Sequence, residues 1–348
     1  MTLTGRVPLT DARWWCPQCH RLYRPHLDTL ALPPGTFTWA VGERAAHLGA
    51  LLPAYARATD CLAYLTGITL SAREMELCTE GLGAAYRVPD RPRGTLGPPA
   101  DVLFVEGDAV QLHFRDPKPW HEEKVFCVWR QVGETLMPPQ YWTADGSWDA
   151  HLAALQSLAE REGLDTAKVI VSLGDGAHPL WTLLTALAPH AVQLLDWYHL
   201  QEHLATVAKL LPASDGAPWH AAQRAHLTAG AWRTVIRALL VHARDGDTAE
   251  LRKAATQCVG YLWWHRGRLN YPLARACGYP IGSGRIESAC KQVVQQRCKG
   301  PGMRWEHAQV EAVLHARCAW LNADWAVACR QWRATGRFAP LGEVKQVA

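Results

Sequence analysis

Four acidic residues stand where the sequence changes element: Asp108, Asp175, Asp196 and Glu287. Asp108 and Asp175 each follow a strand-like run, Asp196 closes a third, and Glu287 lies in the first turn of a helix entered through Gly282-Ser283-Gly284. In α/β sheets functional groups gather beyond the carboxyl ends of strands. Carboxylates that converge there suit Mg²⁺ or Mn²⁺, hard cations that take oxygen ligands and keep several waters. Two such ions about 3.5–4 Å apart stabilise the attacking and leaving oxygens of an in-line phosphoryl displacement. A single Gly-Asp-Gly is ordinarily only a turn; the set at successive element ends carries the weight. The same loop does not read as a nucleotide cradle, because neither GxGxxG nor GxxxxGK[ST] occurs around it.

Elements that could position these acids follow from periodicity. Val102–Val105, Val110–Phe114, Val125–Val132, Val169–Leu173 and Ala191–Leu195 are strand-like, with helical stretches at Trp148–Glu160, Pro179–Leu187 and Leu200–Leu211. This alternation predicts an α/β sheet covered by helices. Residues 217–269 are mostly helical in pattern, and helices follow from about Ile286 and over Glu306–Trp332. Ahead of the sheet, residues 42–83 predict a helical pair, the second opened by a Ser71-x-x-Glu74 capping box. Such a pair resembles a helix-turn-helix. It is equally compatible with a structural hairpin, since Glu74, Glu76 and Glu80 outnumber Arg73. The Pro- and Gly-rich residues 88–100 read as a linker.

Cys16-Pro17-Gln18-Cys19 is half of a four-ligand zinc site; His20 and His26 are the nearby candidates to complete it, and a metal-free turn is the alternative. The eleven cysteines are odd in number and otherwise scattered, and Met1–Asp11 lacks an apolar signal core, so reduced thiols in the cytoplasm are expected. No apolar run approaches the roughly 18 residues of a membrane span. Net charge is only +4, but residues 101–200 carry −8 and residues 201–348 carry +10. An acidic block beside a basic half fits a metal-dependent enzyme acting on a phosphate backbone.

Four segments carry a family resemblance: Leu173-Gly-Asp-Gly-Ala177, Leu195-Asp-Trp-Tyr-His-Leu200, Pro280-Ile-Gly-Ser-Gly-Arg-Ile-Glu-Ser-Ala-Cys-Lys291 and Gln296-Arg-Cys-Lys-Gly-Pro-Gly-Met-Arg-Trp305. They resemble the ISKra-type transposases of bacterial insertion sequences, which are similar to Mutator-like DDE transposases, over about residues 4–332. The resemblance implies a ribonuclease H-like catalytic fold at 101–211 plus 281–348, interrupted by a helical insertion at 212–280. The Cys pair has a counterpart in that family, in a zinc-knuckle-like segment at 1–40; residues 41–87 are the helical region that the pattern reads as a helix-turn-helix or a structural hairpin. By the same resemblance Asp108, Asp175 and Glu287 are the catalytic, Mg²⁺-binding acids, with Asp196 and His199 as an Asp-x-x-His support. Here Asp108 is preceded by Gly107 and followed by Ala109, where the family usually reads Asp-Gly, so Glu106 is a rival for the first acid.

The activity implied is DNA transposition in the bacterial cytoplasm, at the nucleoid: element ends are cut and joined to target DNA on a homodimer or higher oligomer. Lys291, Arg297, Lys299 and Arg304 are the expected phosphate contacts. Lys291 is four residues from Glu287 and so on one helical face with it, where an ion pair with Glu287 is the alternative. Trp197, and the Trp263-Trp264 pair, offer surfaces for unpaired bases, although most of the seventeen tryptophans are expected to pack in the core. Two other functions are compatible with these residues: a metal-dependent nuclease without strand transfer, and a non-catalytic DNA-binding remnant.

Overall fold

A computed structural model describes residues 2–3, 7, 14–23, 37–88, 99–117 and 119–336. His26 and most of the 88–100 linker lie outside the described residues. The fold is mixed α/β: a six-stranded mixed sheet with helices on both faces.

The sheet is built on two long strands, β3 (Val102–His113) and β4 (Trp120–Val132), which form an antiparallel hairpin in continuous register from Val102↔Gln131 to His113↔Trp120. β5 (Thr135–Leu136) and β6 (Gln140–Ala144) both pair antiparallel with β4. On the other side of β3 lie β7 (Val169–Gly174) and then β8 (Val192–Leu195), both parallel. Leu103, Phe104 and Val105 have no exposed surface, as a central strand covered on both faces requires. A short ribbon, β1 (Trp14–Cys16) with β2 (Arg21–Tyr23), stands apart in the sequence before the sheet.

One face of the sheet is covered by α4 (Leu152–Arg161) and α5 (His178–Leu187), the latter crossing over between β7 and β8. The other face takes the segment that carries Glu287: α11 (Gly284–Ala289), a π-helical stretch Cys290–Gln295, and a last short turn, α12 (Gln296–Cys298). Behind it pack α13 (His307–Leu321) and α14 (Trp325–Ala334), together with the amino-terminal helices α1 (Trp39–Leu51), α2 (Tyr55–Thr66) and α3 (Ala72–Ala85).

The Ser71–Glu74 capping box forms in both directions. The helix it opens does not serve as a free recognition helix, however. Met75 and Cys78 through Gly83 are buried, and a Cβ at Gly83 would lie 1.7 Å from the Ala312 carbonyl oxygen of α13. Only the first turn of α3 is exposed, and there Arg73 is paired with Glu76.

After β8, α6 (Trp197–Ala208) leads into α7 (Gly216–Thr228), α8 (Trp232–Asp245), α9 (Ala249–Trp264) and α10 (Tyr271–Ala276). α9 returns to pack on α6, which brings these helices back to the carboxyl end of the parallel strands. Among the described residues no helix is long and apolar enough to cross a membrane.

Candidate active site

Strand register sets the first two acids side by side. Gly107 of β3 pairs with Gly174 of β7, so Asp108 and Asp175 are the next residues along two adjacent parallel strands. Neighbouring strands run about 4.8 Å apart. The glycine before each acid has a packing cause: a Cβ at Gly107 would lie 2.7 Å from Leu180 of α5, and one at Gly174 would lie 2.8 Å from the same side chain. The acids therefore face the α11 side because α5 presses the glycines from the other.

Glu287 arrives from α11, and the loop before that helix is pinned by Asp196. One Asp196 carboxylate oxygen accepts from the His199 amide at 2.6 Å and so caps α6; the other accepts from the Ser283 amide at 2.6 Å. With 1% exposure and both oxygens engaged, Asp196 positions the site rather than offering a ligand. The Trp197 amide adds a bond to the Ile281 carbonyl, and Ser283 Oγ stands 3.5 Å from Glu287 Oε1.

Glu106 and Asp108 have different surroundings. Glu106 is 1% exposed; it accepts from Trp129 Nε1 at 2.7 Å and from the Ile286 amide at 3.2 Å. Burial pushes its pKa up to about 7, against the pull of those two donors. Glu106 thus ties β3 and β4 to the start of α11. Asp108, two residues on, is half-buried and accepts from its neighbour's amide, Ala109 N, at 2.7 Å. Its pKa is raised by burial and then by the charges of Asp175 and Glu287, so these three carboxylates share one electrostatic environment. The Cys290 thiol, the first residue of the π stretch, lies 3.6 Å from Asp108 Oδ2.

The helices between α6 and α11 supply a wall that the sequence did not announce. Tyr261 of α9 lies over Gly176, where a Cβ would come within 2.2 Å of its ring. His203 stacks on Tyr261 at 4.0 Å, and His199, His265 and the acids Asp175 and Asp196 surround it. The Tyr261 hydroxyl is buried without a hydrogen-bond partner, and burial lowers His265 to about 4, so that ring is neutral at pH 7. The only trace in sequence is Tyr261 and His265 at an i, i+4 spacing. His199 itself is partly exposed beside Glu202, at 3.8 Å.

The expected phosphate contacts divide. Lys291, Lys299 and Arg304 are exposed, and Lys299 and Arg304 line a cleft of about 470 Å³ with Trp120 and Met303. Arg297 does not join them. It is 2% exposed, its Nε donates to the Gly49 carbonyl at 2.9 Å, and its guanidinium lies over Tyr55 and Trp305. Trp197 is likewise an interior residue, 5% exposed and edge-on to Tyr271 at 4.8 Å. The exposed aromatic beside it is Tyr198, which covers Gly282; Trp263 and Trp264 are exposed.

Cys16 ends β1 and Cys19 sits in the following turn, close enough that hydrogen bonds from Cys19 lower the Cys16 pKa. Among the described residues no further ligand completes a metal group with them, and none of the eleven cysteines forms a disulfide. Neither family models nor curated proteins match this chain.

Proposed function

We propose that the chain is a DDE-type DNA transposase of the ISKra kind, with Asp108, Asp175 and Glu287 as its metal-holding acids and a ribonuclease H-like catalytic domain. The observation that carries the reading is the meeting of these three carboxylates from two adjacent strands and one crossing helix. The Asp108 pKa is raised by burial first and then by the charges of Asp175 and Glu287, and such a negative cluster is the electrostatic complement of divalent cations. A mixed sheet with helices inserted between the second and third acids fits the fold that the motifs imply.

Bound Mg²⁺ or Mn²⁺ would supply Lewis acidity at the attacking and leaving oxygens of the phosphodiester. The protein's own parts do the rest. Asp108 and Asp175 are fixed by backbone register, and Glu287 by the Asp196 and Glu106 anchors at either side of the α11 start. The exposed cations Lys291, Lys299 and Arg304 attract the DNA backbone to that face. Tyr261, His203 and His265 narrow the opposite side beside Asp175. The substrate is duplex DNA, and paired element ends call for a homodimer or higher oligomer.

The test is a Mg²⁺-dependent assay on DNA carrying the sequences that flank the gene, scored separately for cleavage and for joining to a target. Both are expected, and both fall at least about 100-fold in Asp175→Ala. Cleavage without joining would reduce the proposal to a nuclease. Metal-independent DNA binding with neither step would leave a non-catalytic remnant.

A further inference from the structure

We propose that Asp116, His121 and His307 form a second metal site, for a divalent transition ion of the zinc type, at the tip of the β3–β4 hairpin. The three lie outside the acidic site: Asp116 in the hairpin loop, His121 at the start of β4, and His307 at the first turn of α13. One ligand atom from each falls within 4.8 Å of the others. Asp116 Oδ2 is 3.0 Å from His121 Nε2 and 2.9 Å from His307 Nε2. Ligands about 2.0–2.1 Å from a tetrahedral zinc lie about 3.4 Å from one another, so small side-chain adjustments admit the ion.

Ring orientation is the second observation. The Nδ1 atom of His307 is hydrogen-bonded to Asp145 at the end of β6, which turns its Nε2 toward Asp116 and His121. Carboxylate, imidazole and metal in that order are how zinc-binding histidines are normally held. Phe114 stacks on the His307 ring at 4.2 Å and meets His121 edge-on at 5.3 Å, so both rings are held before any ion arrives.

Two nitrogens and one carboxylate suit Zn²⁺, Co²⁺ or Ni²⁺ better than Mg²⁺, which separates this site from the all-oxygen acidic one. Its place gives it work to do. Backbone bonds from Trp305 N to the His113 carbonyl and from Arg115 N to the Trp305 carbonyl already dock the Lys299–Arg304 segment on the hairpin. An ion held by Asp116, His121 and His307 would lock that junction, and with it the cations that face DNA. This last role rests on the transposase reading; the metal site itself does not.

The test uses the full chain with Cys16→Ser and Cys19→Ser, which removes the thiolate pair, titrated with Zn²⁺ by calorimetry and with Co²⁺ by visible absorption. One ion per chain is expected, with the absorption of a low-coordinate Co²⁺ site and a Zn²⁺-dependent rise in melting temperature. His307→Ala abolishes all three signals, and Asp145→Asn weakens affinity about 10–100-fold. Asp175→Ala with Glu287→Gln leaves them in place. Should His307→Ala fail to fold, His121→Phe keeps an aromatic ring against Phe114 and gives the same reading. No stoichiometric binding in the chain lacking Cys16 and Cys19, or binding unchanged in the histidine variants, overturns the proposal. Zinc binding in a chain that neither cuts nor joins DNA would sink the transposase reading and leave this site standing.

Discussion

Two clusters of carboxylates sit on the same hairpin and behave oppositely. At Asp108 the neighbouring charges are Asp175 and Glu287, all negative, and the Asp108 pKa rises. Five residues past the β-strand pairing His113↔Trp120 is reached, and just beyond it, Asp116 is flanked by His121 and His307; its pKa falls through the His307 hydrogen bond. His307 in turn is raised, its burial outweighed by bonds to Asp116 and Asp145. The first cluster lacks positive charge and calls for a cation from outside. The second sets its carboxylate against two imidazole rings, with Asp116 Oδ2 3.0 Å from His121 Nε2 and 2.9 Å from His307 Nε2. Local charge pairing, not the number of acids, distinguishes a hard-cation site from a nitrogen-bearing one.

The strongest way to sharpen this contrast is to neutralise the acids. Asp108→Asn or Glu287→Gln is expected to lower DNA cleavage at least about 100-fold while leaving the metal-free fold as stable or slightly more so, because each change relieves repulsion. Single-turnover cleavage and thermal melting, measured on the same preparation, check both halves.

Next in size is the pH dependence set by Glu106. Its pKa is about 7 in the fold against about 4.3 in an unfolded chain, so the native state binds the extra proton between those values. Stability of the metal-free protein should fall as pH rises from about 4.5 to 7, by on the order of 3 kcal/mol from this group. Glu106→Gln removes that contribution, and urea unfolding at pH 5 and 7 reads the difference. A variant with an unaltered slope would mean that Glu106 is not buried against Trp129.

The cations offer a parallel comparison. Arg297→Ala is expected to cost about 3 kcal/mol of stability, since it empties a buried space and strands the Gly49 carbonyl. Lys299→Ala and Arg304→Ala should stay within about 0.5 kcal/mol of the parent and instead flatten the salt dependence of DNA binding by about one unit of slope each. Smallest and most local is Gly107→Ala, expected to cost about 1–3 kcal/mol through its clash with Leu180 and to be partly restored by Leu180→Ala.

The sequence carried the strands well where β-branched residues ran together, but it split β3 in two. Glu106-Gly107-Asp108-Ala109 breaks the apolar pattern, yet the strand runs through because β4 and β7 bond it from both sides. The five-residue β6 was not read from the sequence. Among site residues, Asp108 and Asp175 stood out beside glycines after apolar runs, Asp196 at the close of a strand-like run and Glu287 at a helix start. Arg297 and Trp197 were read as DNA-contacting groups, since nothing in the sequence shows that Tyr55 and Trp305 bury the one and Tyr271 meets the other. Tyr261, His203, Asp116, His121 and His307 escaped notice because tertiary packing alone assembles them from distant segments.

The central claim is that Asp108, Asp175 and Glu287 hold the metal that acts on DNA. Its most direct measurement is Mn²⁺ binding to the full chain by calorimetry, run beside cleavage of DNA carrying the flanking sequences, for the parent and for Asp175→Ala. Mn²⁺ binding at this site and cleavage are expected to be lost together in the variant. Retained Mn²⁺-dependent cleavage by Asp175→Ala would contradict it.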